Sequence, residues 1–191
     1  MAGNTDDASA GARRGHRWSL ALWGGAALLL VLPAVAMQFT SEVDWTAGDF
    51  VIMGAMLSVA CGAYELAARL TGNTAYRAAV GIAIATAFLT VWVNGAVGML
   101  GSEDNPANLL FGGVLAVGLI GAIVSRLRPL GMARAMEATA ASQAAMAVYA
   151  LLGGYPGVVL HVGFFTIPWL LSARLFRKAA RDPGWRGRHP G

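Results

Sequence analysis

The feature of this sequence that most limits its fold is a succession of six apolar runs, each about 20 residues long, separated by short polar segments. A helix rises 1.5 Å per residue, so about 20 residues cross a hydrocarbon core about 30 Å thick. Only 13% of the 191 residues are charged, against about 25% in a typical soluble domain, and the mean hydropathy is +0.57. The sequence therefore predicts an all-α integral membrane bundle of six transmembrane helices in a single domain.

The polar segments between the runs set the expected boundaries. Gly72-Asn73 has turn chemistry, and Asn105 followed by Pro106 is typical of a helix N-cap with proline at the first helical position. Residues 1–17 are predicted to be a disordered cytoplasmic tail, and residues 177–191 a basic cytoplasmic tail. The predicted helices cover residues 18–39, 46–68, 76–100, 107–125, 132–152 and 158–176.

The fifth run is the least apolar, because charged and polar side chains interrupt it: Arg134, Glu137, Thr139, Ser142 and Gln143. We retain it as a span because an even number of helices keeps both tails on one side of the membrane. The run that follows it, residues 158–176, is too apolar to remain in water.

The distribution of charge predicts the orientation. When alternate loops are assigned to two sides, all 14 basic residues fall on one side, which the positive-inside rule makes cytoplasmic. The other side holds Glu42, Asp44, Asp49, Glu103 and Asp104. Both termini are therefore expected inside, and the net charge of +4 is explained as a topogenic signal, not as a nucleic-acid footprint. The basic residues are Arg13, Arg14, Arg17, Arg69, Arg77, Arg126, Arg128, Arg134, Arg174, Arg177, Lys178, Arg181, Arg186 and Arg188.

The first run admits a second interpretation. Arg13-Arg14, the apolar residues after them and Ala34-Val35-Ala36 resemble a secretory signal with a cleavage motif. The run is close to a full span in length, and Pro33 suits a kinked helix end, so we interpret it as the first transmembrane helix. Cleavage stays an open alternative.

Three polar residues are expected at a similar depth in the outer third of the bundle. Asp49 lies in the first turn of the second helix, Asn94 about two turns inside the third, and His161 in the first turn of the sixth. Together they could bind a cation or relay protons. The structural alternative is that Asp49 complements a helix dipole, Asn94 links helices through a hydrogen bond, and His161 is interfacial.

The acidic segment Glu103-Asp104-Asn105 has two similar interpretations. It could attract cations to the outer face, or it could be an exposed turn that caps the fourth helix. Its consecutive oxygen-bearing side chains lack the spacing of a calcium loop.

Two pairs near the predicted cytoplasmic boundary have the spacing of ion pairs on one helix face. Glu65 and Arg69 are four residues apart, and Arg134 and Glu137 are three apart. Small-residue stripes are also expected to allow close helix crossings. They are Gly54-Ser58-Gly62 on the second helix, Gly118-Ala122 on the fourth and Ala141-Ala145 on the fifth.

No catalytic set is evident. The sequence has no HExxH, GxSxG or Walker motif and no metal-type spacing of Cys and His, so we expect neither an enzyme nor a cofactor or metal site. The single Cys61 excludes an intramolecular disulfide.

Three blocks carry a resemblance to a known group of proteins: AMQFTSEVDWTAGDF (36–50), YELAARLTGNTAYRAAVG (64–81) and VWVNGAVGMLGSEDNPANL (91–109). Together they resemble a group of small uncharacterised bacterial inner-membrane proteins. The resemblance implies a bacterial inner membrane and no activity, ligand or partner.

The function expected from these patterns is non-enzymatic. The protein should act in the lipid bilayer through association with another membrane protein or with itself, without nucleic acid. The alternative is a transporter or channel-like protein for a small solute or cation, using the polar residues of the outer third. A membrane enzyme acting on lipid is a third hypothesis.

Overall fold

The computed structural model describes residues 3–182 except Glu103 and Pro156, with side chains from Trp18 onward. Over these residues all regular secondary structure is helical, which confirms the all-α prediction. A single 3₁₀ turn, Pro106–Leu109, precedes the fourth helix. The helices are α1 Gly3–Ala36, α2 Ala47–Leu70, α3 Thr74–Val97, α4 Leu110–Val124, α5 Pro129–Leu152 and α6 Val158–Arg181.

Five helical segments are long and apolar enough to cross a membrane, which confirms the membrane class. The fifth predicted span, now helix α5, is not among them, although it has 24 residues. Its alanines and interrupting polar residues lower its hydropathy. The five segments are Trp18–Ala36, Ala47–Leu70, Thr74–Val97, Pro106–Val124 and Val158–Arg181.

Helix boundaries differ from the predicted ones at two places in the first half. The backbone of α1 is helical from Gly3, where the sequence predicted a disordered tail up to Trp18. Three of its 15 residues before Trp18 are alanine, the best helix former, and three are glycine, a poor one, so composition alone does not account for this helix. Helix α3 ends at Val97, before the predicted end at Leu100, because Gly98 has a φ of 69° that leaves the right-handed helical region.

Helix α6 continues to Arg181, past the predicted end at residue 176. Lys178 and Arg181 lie in its last turn, where positive charge complements the negative end of the helix dipole. The first part of the predicted basic tail is therefore helical, and residues 183–191 of that tail lie outside the described residues.

The chain divides into two compact units, Met1–Leu66 and Ala67–Gly191, where the sequence predicted one transmembrane domain. In the first unit, Ser19 Oγ donates to Glu65 Oε1 at 2.6 Å and joins α1 to α2. Trp23 Nε1 donates to the other carboxylate oxygen at 3.4 Å. Among the described side chains of α1, only Ala26 is buried, so most of this apolar helix is exposed.

The second unit contains α3 to α6. Helix α5 packs against both α4 and α6, and α6 also packs against α3. The crossing of α4 and α5 is close because glycines face it: a Cβ on Gly121 would meet the Cβ of Ala135 at 2.5 Å, and one on Gly118 would meet Thr139 Oγ1 at 3.0 Å. The predicted stripe on α4 thus uses Gly118 together with Gly121, while Ala122 is half-buried.

The helices of the second unit meet at two ends. At one end, Tyr76 Oη at the start of α3 donates to Leu127 O in the α4–α5 turn at 2.8 Å. Asn73 Nδ2 donates to Asp182 Oδ2 beyond α6 at 2.7 Å. We call this the basic end, because the basic residues of the turn and of the adjoining helix ends lie there. The opposite end contains the α3–α4 connection and the α5–α6 turn with Tyr155.

Candidate functional site

The connection between α3 and α4 is the most densely hydrogen-bonded polar segment that the structure describes. We call Gly98–Asn108, together with Asn94, the asparagine-linked loop. After Gly98 the chain turns inward, so Met99 is 5% exposed and Leu100 is fully buried. Both pack in a core that α4, α5 and α6 also line, for example through Phe111. The loop therefore closes this end of the second unit.

Asn108 is the centre of the loop. It is 4% exposed, and its amide satisfies two backbone groups at once. The Oδ1 atom accepts from Leu100 N at 2.8 Å, and Nδ2 donates to Ser102 O at 2.6 Å. Leu100 N is buried and outside any helix, so without this acceptor it would be an unpaired donor. Asn108 was not among the predicted site residues. The sequence signal at this position is that two apolar residues, Leu109 and Leu110, follow the asparagine directly.

Asn94 joins α3 to the same loop. Its Nδ2 donates to Asn108 O at 3.0 Å, and its Oδ1 accepts from Met99 N at 3.4 Å. Asn94 therefore forms hydrogen bonds with the connection that follows its own helix, and its predicted role as a link between helices stays a prediction. Both halves of the amide are used within the loop.

Asn105 confirms the predicted cap. Its Oδ1 accepts from Ala107 N at 3.0 Å, with Pro106 at the first helical position. Its Nδ2 donates to Leu100 O at 2.8 Å and to Tyr155 Oη at 3.2 Å. The contact with Tyr155 ties the loop to the α5–α6 turn.

The loop offers little chemistry beyond this closure. Its three asparagines are neutral and engaged with the protein backbone, and Gly101 needs its glycine because φ is 78° and Tyr155 Cε1 would lie 3.1 Å from a Cβ. Asp104 is exposed at the loop surface, and Glu103 lies outside the described residues.

The other two residues of the predicted outer site are satisfied locally. Asp49 is exposed, and its Oδ2 accepts from Thr46 N at 2.7 Å and from Thr46 Oγ1 at 2.8 Å. This is a capping arrangement at the start of α2. His161 is exposed on α6, with Nδ1 at 3.2 Å from Gly157 O one turn earlier. The Asp49 contacts lie at a helix start, as the structural alternative proposed, and the interfacial placement of His161 stays a prediction.

One predicted ion pair has a different partner. Glu137 Oε1 lies 2.6 Å from Arg177 Nη2 on α6, where the spacing predicted Arg134. Arg134 lies on the exposed face of α5, whereas Glu137 is half-buried and turned toward α6. The interaction therefore joins two helices instead of stabilising one. The predicted pairing of Glu65 with Arg69 stays a prediction.

A second group of polar residues lies in the interior of the second unit, and two of its members, Thr139 and Gln143, are among the residues that interrupt the fifth apolar run. Gln143 on α5 is fully buried, and neither Nε2 nor Oε1 has a hydrogen-bond partner. Trp169 on α6 is 3% exposed, and its Nε1 also has none. A buried polar group without a partner costs about 1–3 kcal/mol. Thr139 and Ser172 are fully buried nearby along the same helices.

The described residues contain no group of three or more His, Cys, Asp or Glu side chains that could hold a metal ion. No protein-family model matches the chain, and no curated protein or solved structure is significantly similar to it.

Proposed function

We propose that this chain is a non-enzymatic multi-pass protein of a bacterial inner membrane that acts through association with other membrane-embedded helices, of a second copy or of another protein. The bacterial setting follows from the sequence resemblance. The observation that carries the association is the exposed face of α5, described below.

Six spans are proposed because α5 runs between the same two ends as its neighbours. Gly121 of α4 lies against Ala135 of α5, and Arg177 of α6 pairs with Glu137. Its 24 residues correspond to about 36 Å, which is sufficient for a crossing. Short turns join α5 to α4 and α6, so a chain that crosses the membrane in both neighbours must also cross in α5.

The orientation follows from charge. In the second unit all described basic residues belong to the basic end or to the helix turns that lead to it, and the opposite end exposes Asp104. Basic residues remain cytoplasmic, so the basic end is assigned to the cytoplasm. With six spans both termini are then cytoplasmic.

The exposed face of α5 is poorly suited to lipid alone. Ala138, Ala141 and Ala145 are exposed on successive turns of the helix, with Ser142 beside them. Small side chains present little apolar area to lipid, but they let another helix approach closely. We therefore propose that a further membrane helix packs on this face.

Photo-cross-linking in native membranes tests the association. In a Cys61→Ser background, Ala141→Cys places a thiol on the proposed face, and a benzophenone maleimide attached to it reacts with C–H bonds of any neighbouring protein on illumination. Leu119→Cys, labelled in the same way, is the control, because Leu119 is 64% exposed on α4 and outside the proposed face. We expect illumination to yield a cross-linked species with labelled Ala141→Cys and none with labelled Leu119→Cys.

The mass of the cross-linked species separates the two kinds of partner. Twice the mass of the chain indicates self-association, and any other mass indicates a different membrane protein. Absence of any cross-linked species with Ala141→Cys, at expression equal to the control, would refute the association.

The transporter hypothesis draws less support from the structure. Its site depended on free polar groups at Asp49, Asn94 and His161. Asn94 is bound within the asparagine-linked loop, Asp49 caps α2, and His161 is exposed beside Gly157. No contact that we observe favours a cation at these positions.

A further inference from the structure

We propose that the interior of the second unit binds a small neutral molecule that both donates and accepts hydrogen bonds, held by Gln143 of α5 and Trp169 of α6. This site is separate from the α5 face assigned to association. It lies on the buried side of α5, where Gln143 is fully buried and Trp169 is 3% exposed. Three of their polar atoms have no partner in the protein: Gln143 Nε2, Gln143 Oε1 and Trp169 Nε1.

The two side chains lie at the same level of the antiparallel α5–α6 pair. The Glu137–Arg177 contact gives one estimate of the register: six residues from it along each helix, Gln143 of α5 lies opposite residue 171 of α6. The α5–α6 turn gives a second estimate: nine residues from Leu152 along α5 and nine from Val158 along α6, Gln143 lies opposite residue 167. Trp169 lies between these two positions, within about 3 Å along the axis of either.

The available atoms define the class of ligand. Gln143 Nε2 and Trp169 Nε1 are donors and require an acceptor, while Gln143 Oε1 requires a donor. Thr139 Oγ1 donates to Ala135 O at 2.9 Å, and Ser172 Oγ donates to Ala79 O at 2.8 Å, so both hydroxyl oxygens keep lone pairs for a further donor. Water and small hydroxyl or amide compounds have this chemistry.

Ions do not fit the same position. The charged side chains of α5 and α6 lie closer to the basic end: the Glu137–Arg177 pair is six residues, about 9 Å, from the level of Gln143, and the exposed Arg174 is five residues, about 7.5 Å, from Trp169. An unpaired ion in such an interior would be costly. The ligand is therefore neutral.

The direction in which Tm changes in a Gln143→Leu variant tests the proposal. Gln143→Leu replaces the amide with an apolar side chain of similar size. If the amide binds a molecule shared with Trp169, the variant loses a hydrogen bond and leaves the indole unpaired, so Tm should fall by about 2–4 °C. If the interior is dry, removal of an unpaired amide raises Tm. Ser58→Ala on α2, which removes an exposed hydroxyl bonded to Gly54 O, is the control with unchanged Tm.

A double-mutant cycle adds a readout that a merely structural glutamine would not change. Trp169→Phe removes the indole N–H and keeps an aromatic ring. If the two residues share one molecule, the combined variant should lose clearly less Tm than the sum of the single losses. Additive changes would contradict a shared ligand.

Indole NMR of the unmodified protein separates water from organic solutes. With ¹⁵N-labelled tryptophan in lipid nanodiscs, the Trp169 resonance is assigned by its loss in Trp169→Phe, and Trp18, the first residue of the Trp18–Ala36 segment, is the reference for an indole at the end of an apolar helix. A cross-peak from Trp169 to water identifies water as the ligand. A saturable shift of that resonance with glycerol or acetamide identifies a hydroxyl or amide solute. Neither signal, together with a raised Tm in Gln143→Leu, overturns the proposal.

Discussion

At the scale of single residues, the asparagine-linked loop shows how one amide replaces missing backbone partners. Asn108 offers a donor and an acceptor on a short side chain, and it reaches Ser102 O and Leu100 N with both. Aspartate would lose the donor. The arrangement allows Leu100 to be fully buried outside a helix without an orphaned N–H.

Replacement of Asn108 with alanine should therefore destabilise the protein strongly. Two hydrogen bonds are lost and a buried N–H is left unpaired, so we expect a loss of about 2–3 kcal/mol. Thermal unfolding in mild detergent measures it. Asp104→Ala in the same loop is the control, because Asp104 is exposed, and its Tm should stay within error of the native protein. Equal stability of the two variants would show that the loop does not depend on Asn108.

Tyr76 has a comparable role at the basic end. Arg126 and Leu127 both have positive φ, 49° and 58°, a conformation that non-glycine residues rarely adopt. Tyr76 Oη donates to Leu127 O, and its ring packs edge-on against Phe176 at a centroid distance of 5.0 Å. These contacts hold the strained turn in place.

We expect Tyr76→Phe to retain the ring contact and lose only the hydrogen bond, at a cost of about 1 kcal/mol. Tyr149→Phe is a matched control, because Tyr149 is 46% exposed on α5. The comparison uses unfolding in detergent under identical conditions. A loss in Tyr149→Phe as large as that in Tyr76→Phe would contradict the assigned role.

At the scale of helices, the crossing of α4 and α5 decides how the second unit packs. Ala135 faces Gly121 so closely that the glycine position has no room for a methyl group. The sequence predicted small residues on α4 because close helix packing in membranes uses them. It did not show which of them face α5, because α4 is apolar on all sides and no polar residue marks its buried face.

Gly121→Ala should separate the two helices or shift their crossing, at a cost of about 1–3 kcal/mol. Gly113→Ala on the same helix is the control, since a Cβ added there would meet no atom within 4 Å, and it should be tolerated. Tm and the yield of folded protein after detergent extraction measure both variants. Tolerance of Gly121→Ala equal to that of Gly113→Ala would show that α4 and α5 are not in close contact there.

At the scale of the whole molecule, the proposed topology assigns each connecting segment to one side of the membrane. The α3–α4 loop is placed outside, and the α2–α3 connection at Gly72 is placed in the cytoplasm with the basic residues. The placement rests on the positive-inside rule and on the six-span proposal.

Thiol labelling of intact cells checks this topology. In a Cys61→Ser background, Asp104→Cys should react with a membrane-impermeant maleimide, and Gly72→Cys should react only after the cells are opened. Both positions are exposed, so a difference in reactivity reports the side of the membrane. The reverse pattern would invert the proposed orientation.

The sequence by itself determined the class of the fold, because helix formation and membrane insertion depend on runs of neighbouring residues. The apolar runs, the Asn105-Pro106 cap and the asymmetry of basic residues are all local or nearly local signals. The weakness of the fifth run was also visible, since Gln143 and Glu137 interrupt it.

Only the tertiary structure decided which polar groups are bound and which are left over. Asn94 is hydrogen-bonded to Asn108 because α3 ends three residues before its predicted end and the chain after it turns toward the core. That turn depends on the packing of Met99 and Leu100 against α4 and α6. Glu137 pairs with Arg177, forty residues away, because α5 and α6 are antiparallel neighbours. For the same reason Gln143 and Trp169 lie at similar positions along the axis of the helix pair. These partners are distant in sequence, so helical spacing could not identify them.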